Sequence, residues 1–231
     1  MGVRKHSISS GGVHMRERFE YDLKELQTKL AELSELTKVS LTQAIEALEN
    51  QNVDLALSII ENDKKIDKLE EEINDFAILL IAKQQPVAID LRRIVTTIKI
   101  AADIERMADF AVNIAKSTIR IGNEPLIKPI EHIKLMHKMA LEMLVKLMDA
   151  FKKEDVIQAK EAADMDDKVD ELYGQTIRDL FNMVSEKSEY INQITQLAFI
   201  ARYLERTADH ATNIAENIFY LVKGRHFDLN E

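Results

Sequence analysis

Two short segments of the chain carry acidic side chains at a spacing that suits cation binding. Residues four apart lie along one side of a helix. Eight of the eleven residues from 105 to 115 are identical to their counterparts from 205 to 215. The repetition indicates an oxygen-rich stripe that the chain presents twice. The stripe consists of Glu105, Asp109 and Asn113 in IERMADFAVNIAKS and of Glu205, Asp209 and Asn213 in LERTADHATNIAEN.

The positions of these acids on a helical wheel place them beside a buried surface. Glu105 lies within the arc between Ile98 and Val112 on the apolar face of its helix, and apolar positions bracket Glu205 in the same way. A charge at the edge of a core needs a partner, because its desolvation alone is costly.

Long helices are expected to position the stripes, since helix breakers are scarce. Only three glycines follow residue 14, and the only prolines are Pro86, Pro125 and Pro129. Apolar residues recur with a helical period. We expect Pro86 in the first turn of the third helix, where its missing N–H costs nothing. The expected helices span roughly 16–50, 53–84, 86–121, 126–152, 155–186 and 189–223.

These segments predict an all-α fold of two tandem antiparallel three-helix bundles, each one copy of a duplicated repeat. The first bundle spans residues 16–121 and the second spans 126–224, with a linker at 122–125 and a tail at 225–231. Residues 1–15 are polar, Gly/Ser-rich and without an apolar signal segment. We expect them to form a disordered or vector-derived leader, with Met15 as a natural start.

The second helix of each bundle adds acids to the level of the stripe. NDKKIDKLEEEI carries Asp63 and Asp67, and DMDDKVDELYG carries Asp166 and Asp170. In an antiparallel hairpin that turns near Gln85, counting residues back from the turn places Asp63 and Asp67 at the level of the first stripe. The same residue count in the second half places Asp166 and Asp170 at the level of the second stripe. The offset between copies is 103 for these acids and 100 for the stripes. We therefore expect the connection after the second helix to be about three residues shorter in the second half.

Two interpretations of the clustered acids compete, because like charges repel unless protons, basic groups or cations compensate. In the first, Arg106, Arg206 and lysines pair with the acids on a solvated face. In the second, oxygen-only ligands hold a hard cation such as Mg²⁺, Ca²⁺, Mn²⁺ or an iron ion. Zinc is disfavoured, because His210 points about 100° away from Asp209. The candidate metal ligands are Asp63, Asp67, Glu105, Asp109, Asp166, Asp170, Glu205 and Asp209, with Asn113 and Asn213 as further candidates.

Composition and motifs argue against several other functions. A net charge of −9 disfavours nucleic acid as a partner. The absence of cysteine excludes disulfides and thiolate zinc sites. His132 and His137, five residues apart, are expected at the surface. The sequence has no Gly-rich phosphate loop and no nucleophile elbow, so we assign no catalytic residue; a metal-dependent hydrolase that uses the acids is the alternative function.

The chain resembles the PhoU family over nearly its whole length, from Arg16 to Gly224. The resemblance lies in the paired motifs ERMADFAVNIA and ERTADHATNIA, in the opening RERFEYDLKELQ and in the stretch QQPVAIDLRRI. Each motif alone is weak, but the pair at this spacing is specific to the family.

The resemblance implies a cytoplasmic negative regulator of the phosphate-starvation response and of phosphate uptake, and not an enzyme. Family members are regarded as connecting the ATPase subunit of the Pst phosphate transporter to the PhoR sensor kinase. The chain would then meet the membrane only through its partners, and we expect a homodimer. Some members bind metal clusters, iron in particular, at the motif that is Glu105 with Asp109 and Glu205 with Asp209 in this sequence.

Overall fold

Helices make up the regular secondary structure of residues 10–229, the part of the chain that the structure, a computed structural model, describes. The predicted all-α fold with a duplicated three-helix repeat is confirmed, with α5 and α6 together taking the place of α2. No helix in this range is long and apolar enough to cross a membrane. Within the range the elements are α1 Ser10–Asn50, α2 Val53–Gln84, α3 Ala88–Ile121, α4 Glu131–Lys153, α5 Val156–Ala163, α6 Asp166–Val184, a 3₁₀ turn Ser188–Tyr190 and α7 Ile191–Lys223.

Two helix starts differ from their predicted positions. α1 begins at Ser10, so residues 10–15, which we assigned to the leader, belong to this helix; residues 1–9 lie outside the described residues. α4 begins at Glu131 and not at residue 126. The reason is Pro129, because the residue before a proline is pushed out of the helical region and a helix therefore starts after it.

The connection between the second and third helices is longer in the second repeat than in the first, whereas the sequence predicts a shorter one. Residues 85–87 connect α2 to α3, whereas residues 185–190 connect α6 to α7, so the second repeat shortens its helices and lengthens its connection. In the first repeat the reversal uses positive φ angles at Gln85 (44°) and Ala88 (40°). Pro86 is therefore held in the turn before α3, and not in the first turn of that helix.

A single expected helix over residues 155–186 is interrupted at Asp164 and Met165. Both residues keep right-handed helical dihedral angles. The backbone N–H groups of Met165 and Lys168 donate to carbonyls three residues back, at 3.2 Å each, which is the 3₁₀ pattern. The interruption directly precedes Asp166, whereas α2 continues unbroken past Asp63.

α3 and α7 form the centre of the molecule. α3 packs against α1, α2 and α7, and α7 packs against α3, α4, α5 and α6. Equivalent residues of the two helices, such as Ile104 and Leu204, are fully buried. One continuous hydrophobic core runs through both repeats. The two bundles therefore pack against each other through α3 and α7 and share one hydrophobic core.

α3 and α7 run antiparallel, since their opposite ends meet. Arg92 Nε donates to the carbonyl of Leu221 at 3.2 Å near the end of α7, and Asn192 Nδ2 donates to the carbonyl of Arg120 at 3.1 Å near the end of α3. Positions 92 and 192 are counterparts, so each repeat satisfies a terminal carbonyl of the other repeat's long helix. This approximate two-fold arrangement sets the two motifs side by side across the boundary between the repeats.

Candidate functional site

Four carboxylates from α2 and α3 meet in the first repeat. They are Asp63, Asp67, Glu105 and Asp109, here named the N-terminal cluster. Burial, followed by the charges of Asp67 and Asp109, raises the pKa of Asp63 to about 6. Burial, followed by the charge of Asp109, raises the pKa of Glu105 to about 7. The antiparallel hairpin thus brings the acids of its two helices together, at the level that the residue count around the turn predicts.

The second repeat assembles the equivalent group from α6 and α7. It consists of Asp166, Asp170, Glu205 and Asp209, here named the C-terminal cluster. Carboxylate oxygens of Asp166, Asp170 and Asp209 all lie within 4.8 Å of one another. Burial, followed by the charges of Asp170 and Asp209, raises the pKa of Asp166 to about 7. Burial, followed by the charge of Asp209, also raises the pKa of Asp170 and of Glu205.

Arginine side chains neutralise only part of each cluster. Arg106 Nη1 donates to Asp109 Oδ2 at 2.8 Å. In the second repeat Arg202, and not the expected Arg206, donates from Nη1 to Glu205 Oε2 at 2.6 Å. The four aspartates that α2 and α6 contribute make no ion pair with any described residue. Ion pairs therefore account for Glu105, Asp109 and Glu205. The remaining acids of the two clusters have no ion-pair partner among the described residues, although the charge of Lys116 opposes the rise in the pKa of Asp63 and that of Arg202 opposes the rise in the pKa of Asp170.

One buried oxygen in each cluster has no hydrogen-bond partner among the described residues. These atoms are Asp63 Oδ1 and Asp166 Oδ1, which occupy equivalent places in the two repeats. A buried carboxylate oxygen without a donor is costly, and native structures rarely leave one unsatisfied. A bound cation would satisfy it, and a site made only of carboxylate oxygens suits Mg²⁺, Ca²⁺, Mn²⁺ or an iron ion. The residues present therefore fit a metal at the C-terminal cluster, where three carboxylates converge, and the N-terminal cluster offers the same ligand types with an orphaned oxygen of its own.

The two asparagines of the stripes lie in different surroundings. Asn113 lines a cleft together with Asp63 and Asp109, so it stays a candidate ligand. Asn213 Nδ2 donates to Asp103 Oδ1 at 3.2 Å across the boundary between the repeats. This contact engages the Asn213 amide with α3 of the first repeat.

His210 faces the first repeat, a placement that sequence reasoning missed. Its Nδ1 lies 2.9 Å from Asp103 Oδ1, and its ring packs against Phe110 with centroids 5.7 Å apart. His210 turns away from Asp209, as the helical wheel predicts, and the same rotation directs it into the cleft that Asp63 and Asp109 line. Only the packing of α7 on α3 reveals this, so no local sequence signal predicts it.

The raised carboxyl pKa values predict that the metal-free protein loses stability as the pH rises. An acid whose pKa is higher in the folded chain than in the unfolded chain keeps its proton on folding, so stability falls as the pH rises from about 4 through the folded pKa values of about 6 to 7. His137 acts in the opposite sense. Burial lowers its pKa to about 4, so its contribution is lost as the pH falls below about 6.5.

We therefore expect the melting temperature of chelator-treated protein to fall by several degrees as the pH rises from 5 to 8, because the raised acids outnumber His137. Differential scanning calorimetry in buffers of matched ionic strength measures this change. Asp166→Asn removes one of the raised groups and should flatten the profile. A melting temperature that stays constant or rises from pH 5 to 8 contradicts the prediction.

Comparison with known proteins agrees with the duplicated architecture. The sequence matches the PhoU domain family twice, over residues 30–118 and 133–218. It is 39% identical over 217 residues to the "Phosphate-specific transport system accessory protein PhoU homolog" of Clostridium acetobutylicum, covering 94% of this chain and 99% of that relative. A protein of the same name from Zymomonas mobilis is 39% identical over 212 residues, covering 92% of this chain and 90% of the relative.

A solved structure supports the same assignment. The fold superposes with a TM-score of 0.85 on the crystal structure of the phosphate transport system regulatory protein PhoU from Streptococcus pneumoniae, at 29% identity over 91% of this chain and 99% of that one. The two motifs, at 105–115 and 205–215, fall within the two matched domains. With both domains matched and full-length relatives well above 30% identity, the chain belongs to the PhoU family.

Proposed function

We propose that the chain is a cytoplasmic negative regulator of phosphate uptake and of the phosphate-starvation response. The proposal rests on the sequence similarity of this chain, along almost its entire length, to relatives whose names describe accessory proteins of a phosphate-specific transport system. In this proposal the chain is an adaptor between the ATPase subunit of a Pst-type transporter and a PhoR-like sensor kinase, and it acts as a homodimer.

The proposal includes a cation at each acidic cluster. It is supported by the equivalent orphaned oxygens of Asp63 and Asp166 and by the incomplete neutralisation of both clusters. A divalent or trivalent ion, iron or manganese among them, would draw the second and third helices of each repeat together. The ion would supply charge compensation, while the carboxylates of Asp63 and Asp109, or Asp166 and Asp209, would fix its position.

Removal of the protein from its host is expected to derepress phosphate-starvation genes in phosphate-rich medium. Reporter expression in the deletion strain should reach the level that wild-type cells show only under starvation, because an adaptor that carries a repressing signal is then missing. Complementation with the wild-type chain should restore repression. Reporter expression that stays low in the deletion strain at high phosphate would overturn the regulatory proposal.

A second experiment distinguishes a regulator from the alternative metal-dependent hydrolase. The names of the relatives describe accessory and regulatory proteins and give the hydrolase no support. We expect no turnover of generic phosphate esters above background with Mn²⁺ or Mg²⁺. Turnover that disappears in Asp109→Ala would favour the hydrolase, because Asp109 would then serve a catalytic metal.

A further inference from the structure

A cleft of about 620 Å³ lies beside the N-terminal cluster, between α2 and α3 of the first repeat and α7 of the second. The acids Asp63 and Asp109 form one wall. Three cationic side chains, Arg106, Lys116 and Arg206, also line it. Cations from both repeats therefore converge on one open space at the boundary between them.

Two of these cations have no hydrogen-bond or ion-pair partner among the described residues, although the charge of Lys116 opposes the rise in the pKa of Asp63. Arg106 is engaged by Asp109 at 2.8 Å. Lys116 and Arg206, in contrast, make no hydrogen bond or ion pair with any residue that the structure describes. The Arg206 guanidinium lies over the Phe110 ring, 5.7 Å from its centroid, so stacking supports its planar face while its N–H edge stays available.

The equivalent place in the second repeat lacks this charge pattern. The counterpart of Lys116 is Glu216, whose Oε1 accepts a hydrogen bond from the Leu229 N–H at 2.9 Å. The counterpart of His210 is Phe110. Arg206 contacts the first repeat, whereas its counterpart Arg106 pairs with the acid of its own stripe. The additional cations Lys116 and Arg206 thus lie beside the N-terminal cluster, although the acidic clusters are duplicated.

We propose that this cleft binds a phosphate-type oxyanion. Lys116 and Arg206 would hold its oxygens by charge-assisted hydrogen bonds, for which an arginine edge and a lysine ammonium are well suited. Asp103 accepts from His210 and fixes the imidazole in the cleft wall. The inference rests on the proposed cation at Asp63 and Asp109, because that cation neutralises the acidic wall which would otherwise repel the anion. Metal and anion binding should therefore strengthen each other.

Free inorganic phosphate and the phosphoryl groups of a nucleotide share this chemistry. The test is isothermal titration of the full chain with inorganic phosphate and, separately, with ATP, at physiological ionic strength, with and without Mn²⁺. Lys116→Gln and Arg206→Gln each remove one free cation and should weaken binding of the anion about tenfold, the usual effect of losing one charge-assisted hydrogen bond. Lys138→Gln, at an exposed lysine on α4 outside the cleft, is the matched control and should bind as the wild type does.

The outcomes separate this inference from the proposed cation sites. Anion binding that Mn²⁺ strengthens and that either cleft substitution weakens supports the inference, and the preferred titrant identifies the source. Binding of Mn²⁺ without binding of phosphate or ATP overturns the inference and leaves the cation sites standing. Anion binding that depends on Lys116 and Arg206 but not on Mn²⁺ supports the anion site and contradicts the cation at Asp63 and Asp109. Equal anion binding by the wild type and both cleft variants places the ligand elsewhere and overturns the inference.

Discussion

Saturating Mn²⁺ is expected to raise the melting temperature of the metal-free protein by about 5–10 °C for each cluster that it fills. A ligand present at about one hundred times its Kd stabilises the folded state by about 2.7 kcal/mol when it binds that state alone. In a chain of this size, about 1 kcal/mol corresponds to a shift of about 2–4 °C. The orphaned oxygens of Asp63 and Asp166 would then acquire a ligand in the folded state only.

The isosteric variants Asp63→Asn and Asp166→Asn should affect the melting temperatures of the metal-free and the Mn²⁺-bound protein differently. Without metal at pH 8, each variant should melt at or slightly above the wild-type temperature. The raised pKa of each aspartate shows that its environment disfavours the charge that the amide removes. With Mn²⁺, each variant should lose the part of the shift that belongs to its own cluster.

Asp75→Asn provides the matched control for this measurement. Asp75 is an exposed aspartate on α2, the helix that carries Asp63, but it lies outside the cluster. This variant should keep the full Mn²⁺ shift. If the wild type shows no shift, or if Asp63→Asn and Asp166→Asn shift as much as the wild type, the clusters do not hold the cation.

The helices and their duplication were predictable because the signals for both are local. Apolar periodicity and the scarcity of glycine and proline define a helix without reference to the rest of the chain. The break between α5 and α6 was not predictable, since no glycine or proline marks Asp164 and Met165. The longer connection before α7 was missed for a related reason. An offset between repeats measures the total length of a segment, and it cannot divide that length between helix and turn.

The acids within each repeat were predictable because a hairpin register depends only on where the chain turns. Contacts between the repeats were not, because they depend on how α3 packs on α7. Asp103 with His210, and Arg206 over Phe110, join residues about one hundred positions apart. The helical wheel correctly turned His210 away from its own stripe, but it contains no information about the neighbouring helix.

His137 shows a third kind of error. We expected it at the surface, because its spacing from His132 did not suit a shared site. Its Nε2 is instead buried and has no partner among the described residues, and burial lowers its pKa to about 4. Spacing between two histidines indicates whether they form a pair, but it does not indicate which face of α4 is buried. A neutral imidazole can occupy such a place at neutral pH, because the cost of burial falls mainly on the charged form.

Removal of the α3 and α7 acids from both clusters is expected to abolish repression while leaving the fold intact. The fourfold variant Glu105→Ala, Asp109→Ala, Glu205→Ala and Asp209→Ala should raise reporter expression at high phosphate to the level of the deletion strain. Each pairwise variant, altered in one repeat only, should raise it partially because the other cluster remains. Partly exposed pairs such as Arg106 with Asp109 contribute about 0–1 kcal/mol, and the lost repulsion among the acids offsets that loss.

Circular dichroism and thermal melting in chelator decide whether a loss of repression reflects the site or the fold. The fourfold variant should keep wild-type helicity and melt within a few degrees of the metal-free wild type. Glu71→Ala with Asp75→Ala removes two exposed acids from α2 outside the cluster and should repress normally, which controls for the loss of two negative charges in each pairwise variant. A folded fourfold variant that represses fully would assign signalling to another surface. An effect of one pair only would instead show that the two repeats contribute unequally to signalling.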